Sequence, residues 1–421
     1  MSERSYHLKE LARECRKASS IVAQLSTTEK NKLLQTMAKV LLDQKQDIID
    51  ANTRDLSKAR GNGLSDAMID RLVLNTPRIE KMATALQEIA ELPDPVGEIT
   101  KTWYRPNGLQ VSYQRIPLGV IAMIYESRPN VTSDAAGLCL KSGNAVYLRG
   151  GSEAFSSTQA IADALHHALE SHRLPPGAIT LVPTTDREAI LEMLHLTDLI
   201  DVVIPRGGEG LIRFVNENSR IPVIKHYKGV CHQFVDASAD VDMAIDLLID
   251  GKCSRPGVCN ALETILVHSQ IADTFLTKAA PILDHHGVTL KGCQRTMRIL
   301  ESIQPANEDD FFAEYLSLTL SIKIVDSLDQ AVAHIAEYGS DHTEVIVTQD
   351  YANAREFLRR VNSSVVLVNA SSRFSDGGEL GLGAEIGIST TKLHAFGPMG
   401  LQALTTKKFV VQGDGQVRHP L

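Results

Sequence analysis

Apolar residues recur at helical spacing in the first part of the chain, from residue 6 to about residue 92. The clearest run consists of Leu33, Leu34, Met37, Leu41, Ile48 and Ile49. Ser26-Thr27-Thr28-Glu29 precedes this run and has the form of a helix N-terminal cap, in which side-chain oxygens bond to free amides. Further helices are predicted at 66–72 and 78–92. The pattern therefore predicts an all-helical N-terminal region.

After residue 116 the pattern changes to short apolar runs that alternate with helical segments. Strands are predicted at 120–124, 145–148, 179–182 and 202–204, and again at 264–267, 318–325, 344–347 and 365–369. Helices are predicted at 134–141, 153–171, 186–195, 240–250, 271–283, 294–300, 328–338 and 351–361. This alternation is typical of an α/β protein with doubly wound, mostly parallel sheets.

A β-hairpin is predicted at 103–113, between the helical region and the α/β region. Asn107-Gly108 favours a turn with positive φ, and aromatic and β-branched residues flank it. Such a hairpin either pairs with another element or subunit or is an ordinary surface hairpin. A further strand is predicted near the C-terminus, at 408–412.

Composition narrows the class of protein. The 421 residues are 43% hydrophobic and 22% charged, with a net charge of −8 and a pI of about 6.0. These values are ordinary for a globular protein and indicate no nucleic-acid or membrane-surface partner. Six scattered cysteines without a CxxC pair favour neither a disulfide framework nor a metal site. The charged N-terminus and the lack of a long apolar run favour a cytoplasmic protein with no membrane span.

The loop at 253–264 is where we expect the chemistry. Cys259 lies in a turn that contains proline and glycine, between a predicted helix and a predicted strand. A thiolate there is a strong nucleophile toward carbonyl carbon, and the loop amides can stabilise an oxyanion. Cys253 lies six residues earlier and is a second candidate. The alternative is a small buried cysteine, which is the usual role of a free thiol and the role expected of the other four.

Two glycine-bearing turns after predicted strands are candidate phosphate-binding sites. They read Arg149-Gly150-Gly151 and Arg206-Gly207-Gly208-Glu209-Gly210. Glycines allow a phosphate to approach the backbone at a helix N-terminus. Neither turn matches G-x-G-x-x-G, so ordinary tight turns are the commoner explanation.

Longer segments give a more specific pattern. They read Ile-Tyr-Glu-Ser-Arg-Pro-Asn-Val-Thr at 124–132, Val-Ile-Pro-Arg-Gly-Gly at 203–208, Arg-Pro-Gly-Val-Cys-Asn-Ala-Leu-Glu-Thr at 255–264 and Phe-Gly-Pro-Met-Gly-Leu at 396–401. With these segments in this order, the chain resembles the γ-glutamyl phosphate reductase family of the aldehyde dehydrogenase superfamily along nearly its whole length. The resemblance implies an aldehyde dehydrogenase-like fold, with two doubly wound parallel-sheet domains and a small β oligomerisation flap.

The resemblance also implies a division of labour and a reaction. Residues 1–100 and 115–226 would bind NADPH, 227–395 would form the catalytic domain, and 101–114 with 404–421 would join subunits of a homo-oligomer. The implied reaction is NADPH-dependent reduction of L-glutamate 5-phosphate to L-glutamate 5-semialdehyde, with release of phosphate, in proline biosynthesis. Transient association with glutamate 5-kinase would fit this reaction. An acylating aldehyde dehydrogenase that uses coenzyme A is the closest alternative, because it forms the same thioester.

Individual roles follow from the same resemblance. Cys259 would be the nucleophile. Oxyanion or substrate contacts would come from Asn260, Ser127, Arg128, Arg255 and Asn369, and cofactor contacts from Arg149, Gly207, Gly208 and Glu314. Arg149 would suit the 2′-phosphate of NADPH. His226 stands where hydrolytic relatives carry a general-base glutamate, which fits a thioester that is reduced and not hydrolysed.

Each assignment has a plainer structural alternative. Arg128 could form a surface salt bridge, and Arg149 could be a solvated charge at a strand end. Glu314 could be an acid on a helix surface, and Asn369 could cap a turn. His226 could be a hydrogen-bonded structural imidazole.

Overall fold

The computed structural model describes residues 3–225 and 227–418, with backbone only for residues 3–6 and 67. His226 therefore lies outside the described residues, and its suggested role stays a prediction. The described chain divides into two compact units. The first comprises 3–225, 382–387 and 399–418, and the second comprises 227–381 and 388–398.

The first unit begins with helices, as predicted. They are α1 (Glu3–Val22), α2 (Thr27–Asp43), α3 (Lys45–Gly61), α4 (Asp66–Leu72) and α5 (Thr76–Glu91). Ser26 caps α2: its hydroxyl accepts from the amide of Glu29, whose carboxylate accepts from the Ser26 amide. The predicted capping box is confirmed.

A hairpin and an α/β segment complete most of this unit. In chain order they are β1 (Ile99–Tyr104), β2 (Gln110–Pro117), β3 (Val120–Tyr125), α6 (Val131–Lys141), β4 (Ala145–Arg149), α7 (Phe155–Ser171), β5 (Ile179–Leu181), α8 (Arg187–Met193), β6 (Val202–Arg206) and α9 (Glu209–Asn218). Four strands form a parallel sheet in the order β5-β4-β3-β6. All six residues of β3 are buried, as expected of a central parallel strand covered on both faces.

The second unit is built around a larger parallel sheet. Its elements are β7 (Cys231–Val235), α10 (Val241–Cys253), β8 (Leu262–His268), α11 (Ala272–His285), β9 (Thr289–Gly292), α12 (Gln294–Met297), β10 (Gln304–Pro305), α13 (Glu308–Phe311), β11 (Thr319–Val325), α14 (Leu328–Tyr338), β12 (Thr343–Val347), α15 (Tyr351–Arg360), β13 (Val365–Val368), β14 (Ile388–Ser389) and β15 (Gly397–Pro398). Seven strands pair in parallel in the order β10-β9-β11-β8-β7-β12-β13. The short strands β14 and β15 pair antiparallel.

Helices cover both faces of this sheet. Alternate residues of β8 show it: Ile265 and Val267 pack in the cluster that contains α10 and α11, whereas Leu266 packs in the cluster that contains α14 and α15. Apolar side chains thus point in both directions from one strand, which is the hallmark of a doubly wound sheet. The predicted fold class is confirmed. The helix predicted at 294–300 is wrong in length, because α12 ends at Met297.

The C-terminal strand β16 (Thr405–Gln412) returns to the hairpin of the first unit. It pairs antiparallel with β2 along its whole length, giving a three-stranded sheet in the order β1-β2-β16. Gly108 has φ 88° at the predicted turn. Trp103, Tyr113 and Phe409 stack on one another, with ring centroids 4.6–6.3 Å apart. The hairpin thus pairs within its own chain, and its role in oligomerisation stays a prediction.

None of the described helices combines the length and the apolar character needed to cross a membrane.

Candidate active site

Cys259 lies in a tight turn between α10 and β8. The carbonyl of Val258 accepts a hydrogen bond from the amide of Ala261 at 3.1 Å, so Cys259 and Asn260 occupy the centre of the turn. Cys259 is half-buried. The nucleophile predicted from sequence therefore sits on a short connection between two packed elements, and the plain alternative of a fully buried core thiol does not hold for it.

The backbone of Cys259 is held closely by the segment that leads into β7. Gly229 is buried, and a Cβ placed on it would lie 2.0 Å from the Cys259 carbonyl oxygen and 2.8 Å from its Cα. Only glycine allows this approach. Two residues further on, the Cys231 thiol donates to the same carbonyl oxygen at 3.2 Å. Both contacts fix the peptide that carries the reactive sulfur.

Four of the other five cysteines, namely Cys15, Cys139, Cys231 and Cys253, are less suited to nucleophilic catalysis, because burial raises the pKa of each thiol. Cys253 is half-buried at the end of α10, where burial raises the pKa of its thiol and the nearby Lys252 ammonium only partly offsets that effect. A raised pKa lowers the fraction of thiolate at neutral pH. Cys15, Cys139 and Cys231 are buried, as predicted. Cys293 is half-buried and packs against the edge of the core, so the core role expected of it is confirmed only in part. Burial raises the pKa of its thiol, but hydrogen bonds, first of all with Thr296, outweigh that effect and lower the pKa.

Asn260 bonds backbone groups of its own chain, and the oxyanion or substrate roles predicted for Asn260 and Arg255 stay predictions. The Asn260 amide nitrogen donates to the carbonyls of Ser375 at 3.0 Å and Arg373 at 3.4 Å. Its backbone carbonyl accepts from the hydroxyl of Ser372 at 2.7 Å. Asn260 therefore anchors the turn to a neighbouring segment. Arg255 is exposed on the same loop.

Glu314 is linked to the nucleophile Cys259 by way of Gly229. Its Oε1 accepts from the amide of Gly229 at 2.9 Å, and Gly229 in turn abuts Cys259. Glu314 is half-buried in a segment between α13 and β11, so the alternative of an acid on a helix surface is wrong. Its predicted role at the cofactor ribose stays a prediction.

Asn369 follows the plainer alternative. Its side chain accepts from the Thr348 amide at 2.9 Å and donates to the Thr348 carbonyl at 2.9 Å. Its backbone is left-handed, with φ 52°, a conformation that asparagine tolerates well. Both ends of the amide bond backbone groups, as the turn-capping alternative predicts, and the substrate role stays a prediction.

In the first unit, the turn after β6 has the form of a phosphate-binding site but carries a carboxylate. Gly207 and Gly208 are exposed at the N-terminus of α9. The amide of Gly208 donates to Oε2 of Glu126 at 3.0 Å, and a Cβ on Gly207 would lie 2.4 Å from that same oxygen. A Cβ on Gly208 would meet nothing within 4 Å. A phosphate bound to this amide would therefore have to replace Glu126.

Arg149 lies at the end of β4 and is only 7% exposed, so the alternative of a solvated charge is wrong. Its Nη2 donates to the carbonyl of Thr185 at 2.7 Å, and its buried Nε has no hydrogen-bond partner within the described chain. Burial lowers the pKa of the guanidinium, while Glu153 and Glu126 oppose that shift. A buried donor without a partner fits an additional anionic group, such as a cofactor phosphate.

Ser127 does not have the free donors that an oxyanion ligand needs. Its amide and its hydroxyl both donate to Oε1 of Glu153, at 2.5 and 2.9 Å. Its φ of 45° is left-handed and unusual for serine. These contacts fix the turn after β3, and the oxyanion role of Ser127 stays a prediction. The neighbouring Arg128 is exposed.

Sequence reasoning missed several residues that shape these two sites. Glu126 lies within the segment at 124–132 and Gly229 lies three residues after His226, but nothing in the pattern indicated what they contact. Lys252 and Glu263 form a wholly buried ion pair across the Cys259 loop. A glutamate within the apolar strand β8 was the available signal, because a buried charge requires a partner. Among the described residues there is no group of three or more histidine, cysteine or acidic side chains that could hold a metal ion.

Similarity to known proteins shows the class to which this chain belongs. The model of the aldehyde dehydrogenase family matches residues 3–287 of this chain, and the chain belongs to that family. The γ-glutamyl phosphate reductase of Salinibacter ruber is 62% identical over 411 residues, which cover 98% of this chain and 94% of that protein. The γ-glutamyl phosphate reductase of Xanthomonas campestris is 59% identical over 412 residues, covering 98% of this chain and all of that protein.

A solved structure agrees with these relatives. The crystal structure of γ-glutamyl phosphate reductase from Thermotoga maritima superposes with a TM-score of 0.96 at 45% identity, covering 98% of this chain and 100% of that one. Within the aldehyde dehydrogenase family, this chain is a member of the γ-glutamyl phosphate reductases. The resemblance and the aldehyde dehydrogenase-like fold inferred from sequence are confirmed.

Proposed function

We propose that this enzyme reduces L-glutamate 5-phosphate to L-glutamate 5-semialdehyde with release of phosphate, through a thioester on Cys259, in proline biosynthesis. Membership in the family of γ-glutamyl phosphate reductases supports the substrate. The observation that carries the mechanism is the position of Cys259. Its thiol is half-buried on a turn whose backbone is fixed by contacts with Gly229 and Cys231. A fixed nucleophile beside backbone amides suits acyl transfer.

The first half of the reaction needs only the thiolate and the loop. Attack of the Cys259 sulfur on the acyl carbon forms a C–S bond and a tetrahedral oxyanion, and we assign the Cys259 amide as one donor to it. Collapse breaks the C–O bond to phosphate, which leaves with the bonding electrons. The product is a thioester. Because Ser127 and Asn260 are engaged elsewhere, we assign no side chain as the second oxyanion donor.

The second half requires a reduced nicotinamide cofactor, and we propose NADPH. When bound, it supplies the hydride that takes the thioester to the aldehyde level. The residues proposed to hold it are Arg149, through its unpartnered buried Nε, and Gly207 with Gly208 at the start of α9. Glu314, whose Oε1 bonds the amide of Gly229, is proposed to accept from a ribose hydroxyl. Once the thioester is reduced, release of the sulfur yields the semialdehyde.

We further propose that the sheet β1-β2-β16 joins subunits of a homo-oligomer. Its strand β16 carries exposed apolar residues, among them Phe409 and Val411. An exposed apolar edge strand favours pairing with another chain. A transient complex with glutamate 5-kinase, which makes the unstable acyl phosphate, is also part of the proposal.

Replacement of the nucleophile tests the mechanism. Cys259→Ala is expected to abolish turnover, followed as NADPH absorbance decay at 340 nm with glutamate kinase supplying the acyl phosphate. The affinity of this variant for NADPH should stay within about threefold of wild type, since the substitution removes none of the residues proposed to hold the cofactor. Cys253→Ala is the matched control and should remain active. Activity that survives in Cys259→Ala and disappears in Cys253→Ala would transfer the role to Cys253.

The reverse reaction separates this proposal from the acylating alternative. Oxidation of the semialdehyde should require phosphate as the acceptor of the acyl group. Oxidation that proceeds with coenzyme A and ignores phosphate would favour an acylating aldehyde dehydrogenase.

A further inference from the structure

Two oppositely charged side chains are completely buried at the two ends of the Cys259 loop. Lys252 lies in the last turn of α10, and Glu263 is the second residue of β8. Lys252 Nζ and Glu263 Oε2 are 2.6 Å apart, and both side chains are fully buried. Because the loop at 254–261 runs between these elements, the ion pair joins its two ends directly.

The Glu263 carboxylate also bonds the Glu314 segment, residues 312–318 between α13 and β11. Oε1 of Glu263 accepts from the amide of Leu316 at 3.3 Å. Leu316 has φ 52°, a left-handed conformation that a leucine adopts only where its surroundings hold it. The Lys252 ammonium also lies 5.9 Å from the centre of the Tyr315 ring. One ion pair is thus bonded to both segments that border the nucleophile.

The segment that carries Glu314 also contacts the Cys259 loop by a second route. Glu314 accepts from Gly229, and Gly229 abuts the Cys259 backbone. A Cβ on Gly257, in the loop itself, would lie 3.8 Å from the Leu316 carbonyl oxygen. The Glu314 segment is therefore bonded to one end of the loop through Glu263, and it is linked to Cys259 itself through Gly229.

We propose that Lys252 and Glu263 are positioning residues, which hold the Cys259 turn and the Glu314 segment in the arrangement that the reaction requires. The proposal deepens the function proposed above and rests on it. A buried ion pair is a poor device for stability alone, because desolvation of two charges offsets most of their attraction, and apolar replacements of both are often tolerated. A pair retained at this place is better explained by the geometry that it imposes.

Removal of both charges tests the proposal without leaving one buried ion unpaired. We expect Lys252→Met/Glu263→Leu to fold, with kcat reduced at least about tenfold and KM within about threefold, because the turn no longer presents the thiolate in line. Alkylation of Cys259 by iodoacetamide at pH 7.5, measured by mass spectrometry, should slow at least about fivefold, because the displaced turn no longer holds the sulfur in the same surroundings.

The chain offers a matched control. Lys30 and Asp94 form another buried ion pair, 2.9 Å long, within the first unit. Lys30→Met/Asp94→Leu should alter thermal stability but leave the rate of Cys259 alkylation within twofold of wild type. Equal slowing in both double variants would show a general effect of lost stability and would overturn the proposal. So would a folded Lys252→Met/Glu263→Leu protein with wild-type alkylation and kcat.

Two further measurements keep the test decisive if that variant fails to fold. Lys252→Met/Glu263→Gln keeps the size of the side chain and an oxygen for the Leu316 amide, and it is judged by the same thresholds. Hydrogen exchange on the wild type needs no variant: the Leu316 amide should be strongly protected, and exchange within seconds would overturn the proposal. Alkylation and exchange need no substrate, so an enzyme inactive on L-glutamate 5-phosphate would refute the proposed function while leaving this inference testable.

Discussion

Gly229 offers a direct test of whether the position of the Cys259 backbone controls the chemistry. An alanine Cβ at this position would lie 2.0 Å from the Cys259 carbonyl oxygen, whereas real Cβ atoms essentially never come within 3.0 Å of such an atom. The Gly229 segment and the Cys259 peptide must therefore move apart by at least about 1 Å. Gly229 does not have a positive φ, so alanine adds no backbone strain of its own. The predicted effect comes from the contact alone.

The magnitude can be worked from that displacement. Misplacement of a reacting group by about 1 Å can reduce the rate by about 100-fold. Overpacking of this kind destabilises a protein by about 1–3 kcal/mol, which is less than the 5–15 kcal/mol typical of total stability. Gly229→Ala is therefore expected to remain folded. Its kcat should fall by roughly 30- to 100-fold, the loss that a displacement of about 1 Å produces. The NADPH absorbance assay measures kcat, and thermal unfolding reports stability.

A control glycine separates crowding from a general effect of alanine. Gly61 ends α3, has no positive φ, and a Cβ there would meet nothing within 4 Å. Gly61→Ala should leave kcat unchanged and could stabilise the helix by up to about 1 kcal/mol. A Gly229→Ala enzyme that keeps more than a third of wild-type kcat would refute the reasoning, because it would mean that the nucleophile tolerates the shift.

Two more predictions concern the cofactor and the choice between thiols. Arg149→Ala should weaken binding of NADPH at least about tenfold more than binding of NADH, measured by titration of cofactor fluorescence, since only NADPH carries the 2′-phosphate; equal losses would reject the assignment. Burial raises the pKa of the Cys253 thiol above its ordinary value of 9.0, so its thiolate is scarce at pH 7 and increases only as the pH rises through that higher pKa. Iodoacetamide at pH 7 should therefore modify Cys259 well before Cys253, with Cys253 labelling rising steeply above pH 9, and the opposite order would contradict the assignment of the nucleophile.

The sequence pattern predicted most of the fold because the signals were long and strongly apolar. The strand predicted at 120–124 became β3, and the helix predicted at 328–338 became α14 with the same bounds. Two of the misses are very short: β9 and β10 have four and two residues, and only part of β9 is buried. A run that brief leaves no periodicity to detect. β9 becomes a strand because it pairs with β11, and β10 because it pairs with β9.

The candidate site was harder to predict, for a reason that Asn369, Asn260 and Ser127 share. Each carries a polar side chain at a place where a ligand contact is chemically reasonable. In the structure their partners are backbone or carboxylate groups 21, 115 and 26 residues away. Which partner a buried donor finds depends on tertiary packing, since every such group must be satisfied by something. Local sequence indicates that a hydrogen bond will form but not with what.

Charged residues within apolar strands are the exception that sequence reasoning could have used. Glu263 and Glu344 each stand in an otherwise nearly apolar strand, so burial is expected, and a buried carboxylate is unfavourable without a partner. Each has one: Lys252 at 2.6 Å and His232 at 2.9 Å, with all four side chains fully buried. Burial also raises the pKa of Glu263 to about 7, against the opposing effect of Lys252. Of these two glutamates, Glu263 lies four residues after the nucleophile. A charge kept in the core at that distance from a reactive group is better explained by positioning than by stability, and the double replacement of Lys252 and Glu263 measures that difference.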